Sequence, residues 1–341
     1  MAPVLWEQHC CLPVLPSAEI ADLARYPAGS YLSVNVGYSL HSKADALAMV
    51  QMLRRDALAD GRFRLVQGYT DTEVPAAGPE ARIALAFDLE DSRPLDGAVD
   101  NVALFHSLGV RSLLPTYNHA NAAGGGCLDT DNRGLTRYGR DVIRALGEVG
   151  MFADGSHCAE RAGLEIAEIV RGPMIYSHSN FAALWPHPRN ISDDQARACA
   201  RTGGVIGING VGIFLGSNHA DGRAARIAAM ADHLAYGADL VGIEHVGVGS
   251  DYSFDADQFN AEIAAAPENF SEDYTRWGPL QWVPPEDLLG LHIASPGKNA
   301  TSSKSPVPSL DDVLADRGFT ESDRAAIFRG NFARAAREVW K

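Results

Sequence analysis

The sequence predicts an α/β fold: a (β/α)8 TIM-type barrel of parallel strands. Eight short apolar or β-branched runs recur along the chain, separated by stretches with helical spacing. Strands alternating with helices argue a parallel sheet, and eight such units argue its closure. Polar residues also gather at the C-terminal ends of these runs, where a barrel forms its mouth. An open doubly wound sheet is the competing architecture.

The strand candidates are 4–9, 31–36, 83–89, 110–116, 151–155, 174–177, 205–209 and 246–250. Segment 43–60 follows a Ser42 cap and carries Ala46, Val50, Leu53 and Ala57 on one helical face. Segments 138–149, 159–170 and 223–236 repeat that spacing with Val142 and Leu146, with Leu164 and Ile166, and with Ile227, Met230 and Leu234. Ser192 before Asp193 and Asp194 opens another helix, and Gly203-Gly204 ends it. Two segments break the rhythm. Segment 120–137 is rich in Gly, Asn and Asp and reads as a long loop. Segment 255–309, with Pro279, Pro284, Pro285, Pro296, Pro306 and Pro308, reads as an irregular excursion. Helices near 310–315 and from about 321 to 340 close the chain, and 1–341 reads as a single domain.

The 341 residues, 46% of them hydrophobic, suffice for one large core. A formal charge of −14 repels phosphate backbones and anionic lipid, which argues against nucleic-acid and membrane partners. The first residues lack a basic n-region, and no run of about 18 apolar residues occurs, so the expected location is the cytoplasm. The cysteines are Cys10, Cys11, Cys127, Cys158 and Cys199. Their odd number and the lack of a C-x-x-C indicate neither a disulfide framework nor a zinc ribbon.

Chemistry concentrates at the strand ends. Strand one ends in Glu7-Gln8-His9-Cys10-Cys11, strand three in Asp88-Leu89-Glu90-Asp91, and strand four in Thr116-Tyr117-Asn118. Strands five, six and eight end in Asp154-Gly155-Ser156-His157, Ser177-His178-Ser179 and Ser250-Asp251-Tyr252. Three His and one Glu at one mouth suit a divalent metal of the zinc type, whose usual donors are imidazole and carboxylate. His41, His106, His219, His233 and His292 read as surface or packing residues. His119 and His187 lie in mouth loops within reach of a substrate, and His245 falls at the far end of its strand. Gly203-Gly204-Val205-Ile206-Gly207 precedes a strand and so is no dinucleotide fingerprint. No G-x-S-x-G elbow occurs, which argues against a serine nucleophile.

Several stretches together resemble the membrane (renal) dipeptidase family of zinc metallopeptidases, which have an amidohydrolase-like barrel. They are Gly172-Pro173-Met174-Ile175-Tyr176-Ser177-His178-Ser179-Asn180, Pro188-Arg189-Asn190-Ile191-Ser192-Asp193-Asp194, Asp154-Gly155-Ser156-His157, Val248-Gly249-Ser250-Asp251-Tyr252 and Gly330-Asn331-Phe332-Ala333-Arg334. The resemblance implies a binuclear zinc site and, as in many family members, a homodimer. It implies His9 as the His of an H-x-D motif on strand one, a metal-bridging Glu at Glu90, and His157 and His178 on the second metal. Asp88 is the other carboxylate on the strand of Glu90; spacing to Leu108-Gly109-Val110-Arg111 favours Glu90. Arg189 matches the Arg that holds the substrate carboxylate, and Asp251 the Asp that exchanges protons with water and the leaving amine.

Two positions depart from the family pattern. Cys11 stands where the H-x-D carboxylate belongs, either as a thiolate ligand or as a small buried residue beside a weak or absent first metal. Tyr117 stands where a His polarises the scissile carbonyl, and its phenol can donate to an oxyanion. Asn118 is expected beside it at the substrate. The implied activity is hydrolysis of dipeptides or N-acyl amino acids. Alternatives are another amidohydrolase chemistry, deamination or cyclic-amide opening, and a catalytically impaired homologue that binds metal or ligand.

Overall fold

The computed structural model describes residues 4–270, 272–291 and 307–340. Its strands are β1 (Trp6–Cys11), β2 (Tyr31–Asn35), β3 (Phe63–Leu65), β4 (Ile83–Leu89), β5 (Val110–Leu113), β6 (Phe152–Ala153), β7 (Ile175–Tyr176), β8 (Val205–Ile208), β9 (Val246–Val248) and β10 (Tyr252–Ser253). Every ladder between them is parallel. One runs β1–β2–β4–β5–β6, and another runs β7–β8–β9. A parallel bridge between Asp154 and Ile175 joins the two. Segment 246–253 completes the ring, because β9 pairs with β8 while its continuation β10 pairs with β1. The expected α/β barrel architecture is therefore present.

The eight expected strands all form: β4 keeps its predicted bounds, β1 is shifted two residues along the chain, and the other six are shorter than their apolar runs. Two more were not legible. Strand β3 is three residues long and pairs with the start of β4. Strand β10 follows β9 after a kink at Asp251, whose φ of 55° is left-handed. The helices α1 (Lys43–Asp60), α2 (Asn101–Ser107), α3 (Arg137–Val149), α4 (Glu160–Ile169), α5 (Asp193–Arg201) and α6 (Arg223–Val241) lie along the ring between strands. Helix α1 starts as its sequence demands: Ser42 and Asp45 form a capping box, and Gly61 ends the helix in the left-handed region at φ 74°.

The excursion at 255–309 is less irregular than its prolines suggest. It contains α7 (Ala256–Ala265), and Pro285 opens a further short helix, Pro285–Leu289, because proline is tolerated in a first turn. Pro296, Pro306 and His292 lie outside the described residues. After the excursion come helices Leu310–Asp316 and Glu321–Ala325, a π turn over Ala326–Gly330, and helix Asn331–Val339.

The two ends of the barrel differ in polarity. At the N-terminal end Trp6, Tyr31, Phe152, Ile175 and Val205 form an apolar layer closed by Phe332 and Trp340 of the C-terminal segment. Phe152 stacks on Phe332 at 5.3 Å between ring centroids. This plug leaves the C-terminal mouth as the open end of the ring. No helix among the described residues is long and apolar enough to cross a membrane.

His233 is not a surface residue. It is buried, stacks on Phe181, and its Nδ1 accepts a hydrogen bond from the Phe181 N–H at 3.1 Å. That acceptor role requires neutral imidazole, and burial lowers its pKa from 6.5 to about 4. The unfolded chain therefore binds more protons between those values. The associated stability is complete above pH 6.5 and is lost as pH falls toward 4, by about 3 kcal/mol at most. Denaturant titrations of wild type and His233→Asn across this range should converge at acid pH. Parallel curves would show that His233 is not the group responsible.

Candidate metal centre and substrate cleft

Four barrel strands deliver ionisable side chains to one point at the mouth. His9 and Cys11 come from the end of β1, Glu90 follows β4, and His157 and His178 follow β6 and β7. Glu90 Oε1 lies 2.9 Å from His157 Nε2 and 3.2 Å from His178 Nε2, and these two nitrogens lie 3.1 Å apart. His9 stacks on His178 with ring centroids 4.0 Å apart, and its Nε2 lies 3.7 Å from Glu90 Oε1. Cys11 Sγ and Asp251 Oδ1 lie 3.4 and 3.6 Å from the same nitrogen. Two donor triads result, His9–Glu90–His178 and His9–Cys11–Asp251.

The donor chemistry fits a divalent cation. The Asn118 amide is oriented by its Nδ2, which donates to the Asn269 carbonyl at 3.0 Å. Its Oδ1 therefore faces His157 Nδ1, 2.8 Å away, and that nitrogen must carry the proton. His157 Nε2 is left with a lone pair aimed at a carboxylate oxygen and a second imidazole nitrogen. Burial, with the Arg189 charge, holds His157 well below its ordinary pKa, and burial with the His9 charge does the same for His178. Neither ring therefore carries a second proton to relieve these contacts. Electron-rich atoms facing one another across about 3 Å are what a bound cation resolves.

Partners one layer out fix the donors, as in most metal sites. Asn35 Nδ2 donates to Glu90 Oε2 at 2.5 Å, and Ser177 Oγ lies 2.6 Å from His178 Nδ1. Asp88, the alternative carboxylate, faces His9 Nδ1 at 3.1 Å and accepts from Ser33 Oγ. Burial would lower the His9 pKa, but the charges of Asp88, Cys11 and Glu90 outweigh it and raise the value well above ordinary. Burial raises Glu90. It also pushes the Cys11 thiol up to about 12 against the opposing pull of His9. Among the described residues, His157 and Asp251 are two of four non-glycine residues with positive φ, 62° and 55°. Backbone strain of this kind, worth about 1–3 kcal/mol, is characteristic of functional sites.

The remaining expected residues are spread over two cavities that share His157. One, of about 650 Å³, is bordered by Glu90, Tyr117 and Asp251. Tyr117 stacks on His157 at 4.2 Å. Asp251 Oδ2 accepts from Asn209 Nδ2 at 2.9 Å. Arg189 lines the second cavity. Its guanidinium is buried, donates to the His178 carbonyl and sits over Phe214. Among the described residues no carboxylate pairs with it. Asn118 is buried and spends its amide on Asn269 and His157, which makes it an orienting group for His157. His187 is buried against Phe214, and His119 stands exposed beside Asp129. Sequence reasoning missed Asn35 and Asn209, although Asn35 lies one residue before the end of a predicted strand and Asn209 ends one; their signal was position without metal-ligating chemistry.

The match to known proteins agrees with this geometry. A protein of Klebsiella pneumoniae described only as uncharacterized, in the pqqA 5' region, is 33% identical over 201 residues, 56% of this chain and 72% of that protein. Dipeptidase aclJ of Aspergillus oryzae is 29% identical over 201 residues, 55% of this chain and 47% of its own length. An uncharacterized dipeptidase of Schizosaccharomyces pombe is 32% identical over 212 residues, 61% of this chain and 50% of its own. The chain thus spans about half the length of these two fungal relatives. Among solved structures, an amidohydrolase from Pseudomonas aeruginosa superposes with a TM-score of 0.79 at 21% identity, covering 99% of this chain and 97% of that one. A Rhodobacter sphaeroides metallopeptidase, liganded with a phosphinate mimic of L-Ala-D-Ala, gives 0.69 at 18% identity with both chains fully covered. These two show a shared fold. Residues 29–263 match the model of the membrane dipeptidases, and the chain belongs to that family, peptidase family M19.

Proposed function

We propose that this chain is a zinc-dependent hydrolase that cleaves the amide bond of dipeptides or similar N-acyl amino acids. The observation that carries the reading is the convergence of His157 Nε2, His178 Nε2 and Glu90 Oε1, all within 3.2 Å of one another, at the floor of a cleft. Family membership, the dipeptidase names of the fungal relatives and the dipeptide mimic on the Rhodobacter protein support it.

His9, Cys11, Glu90, His157 and His178 would hold the metal. A divalent ion lowers the pKa of water toward neutrality and polarises a carbonyl. Asp251 is raised by burial while His9 and Arg189 pull it down, so its carboxylate is poised to accept a proton from the attacking water and deliver it to the leaving amine. Burial holds the Tyr117 phenol protonated, ready to donate to the oxyanion. Arg189, a buried guanidinium with no carboxylate partner among the described residues, anchors the free carboxylate of the substrate.

Metal removal tests this directly. The chain stripped by a chelator should lose dipeptide hydrolysis and recover it with zinc; hydrolysis that survives stripping would refute the reading. The position of the Cys11 thiol between His9 and Asp251 favours it as a donor. Elemental analysis should therefore give two zinc ions per chain for both wild type and Cys11→Asp. One ion rising to two in the variant would show instead that the thiol leaves the first position empty.

A further inference from the structure

The cavity bordered by Tyr117 has a chemical bias that amide hydrolysis does not require. The residues bordering it include Glu90, Asp251, Asp255 and Glu262, and neither Lys nor Arg is among them. Its walls are aromatic. Tyr117 stacks on His157 at 4.2 Å, and Tyr38 lies 5.3 Å beyond Tyr117. The Tyr38 hydroxyl then donates to Glu262 on α7. Phe259 and Trp282, at 6.0 Å in an edge-on pair, also border the cavity, with Gln258. Two aromatic steps thus lead from a metal-ligating ring to a carboxylate.

Among the described residues no cation answers Glu262. No ion pair reaches it among the described residues, and burial alone raises its pKa. A half-buried carboxylate between aromatic faces is a receptor for a cation carried on an apolar stem, which combines charge pairing with cation–π attraction. Arg189 fixes the direction of binding, since it borders only the second cavity while His157 borders both. With the substrate carboxylate at Arg189, the N-terminal residue extends into the aromatic cavity.

We infer that Glu262, at the end of the Tyr117–Tyr38 aromatic wall, selects dipeptides whose N-terminal residue is lysine or arginine. This rests on the dipeptidase reading and names its substrate class. The test compares Lys-Ala with its neutral isostere norleucyl-alanine on the zinc-loaded enzyme, in wild type and Glu262→Gln. Wild type should favour the lysyl peptide by about tenfold in kcat/KM, the weight of one partly screened charge contact of about 1.4 kcal/mol. The variant should bring the ratio close to one. Equal rates in wild type, or a preference unchanged in Glu262→Gln, would overturn the assignment and leave the dipeptidase reading intact. Cleavage of neither peptide would overturn both.

Discussion

Replacing His178 with alanine should abolish dipeptide hydrolysis, by a factor of about 10³ or more, and lower the metal content of the purified chain. The loss corresponds to about 4 kcal/mol of transition-state stabilisation. His178 is fully buried and lies at the centre of the site: it stacks on His9, its Nε2 meets both Glu90 and His157, and its Nδ1 meets Ser177. No other imidazole can take its place. His9 is already turned toward Asp88, and the proton of His157 Nδ1 is committed to Asn118. Alanine would remove a donor and the ring that holds His9 in place. Elemental analysis and kcat/KM measured on the same preparation check this, with a thermal melt to show that the variant is folded. Full activity with a normal metal content would refute the assignment of the site.

Gly249→Ala should be the most damaging small substitution in the barrel, destabilising the chain by about 3 kcal/mol or more and weakening metal binding. A Cβ at Gly249 would stand 1.6 Å from the Ser177 carbonyl oxygen, and one at Gly207 would stand 2.1 Å from the same atom. β8 and β9 approach the end of β7 this closely because both positions lack a side chain. The Ser177 carbonyl cannot simply retreat, since the Ser177 N–H is held by Asp154 Oδ1 at 3.1 Å and the next residue is His178, a proposed metal ligand. The damage therefore passes straight into the site. Gly147 provides the control, because a Cβ there meets nothing within 4 Å. Calorimetric melting of Gly249→Ala and Gly147→Ala, with zinc affinity for each, separates steric crowding from ordinary helix or strand preference. A Gly249→Ala chain as stable as Gly147→Ala would refute the argument.

Much of this was legible in the primary structure. Strands β2, β4 and β8 are largely apolar runs with a polar residue at or just past the end, and helix α1 announces both its cap and its stop. His9, Glu90, His157 and His178 stood out because barrel closure assigns every strand end to one mouth, so residues up to 169 positions apart become neighbours by topology alone. Long-range side-chain geometry was not legible. Asp88 and Glu90 are two residues apart on one strand and look alike in sequence. Only their depth in the barrel sends one to His9 Nδ1 and the other to three imidazole Nε2 atoms. Asn118 reads as a substrate contact until Asn269, from the distant excursion, fixes its amide and makes it the group that sets the His157 tautomer. Glu262, Phe259 and Trp282 arise where prolines suggested irregular chain, because a helix folded over the mouth derives its role from what it faces. Local periodicity specifies which residues are strand, helix and core. Which lone pair faces which proton depends on contacts across the ring, and those exist only after it closes.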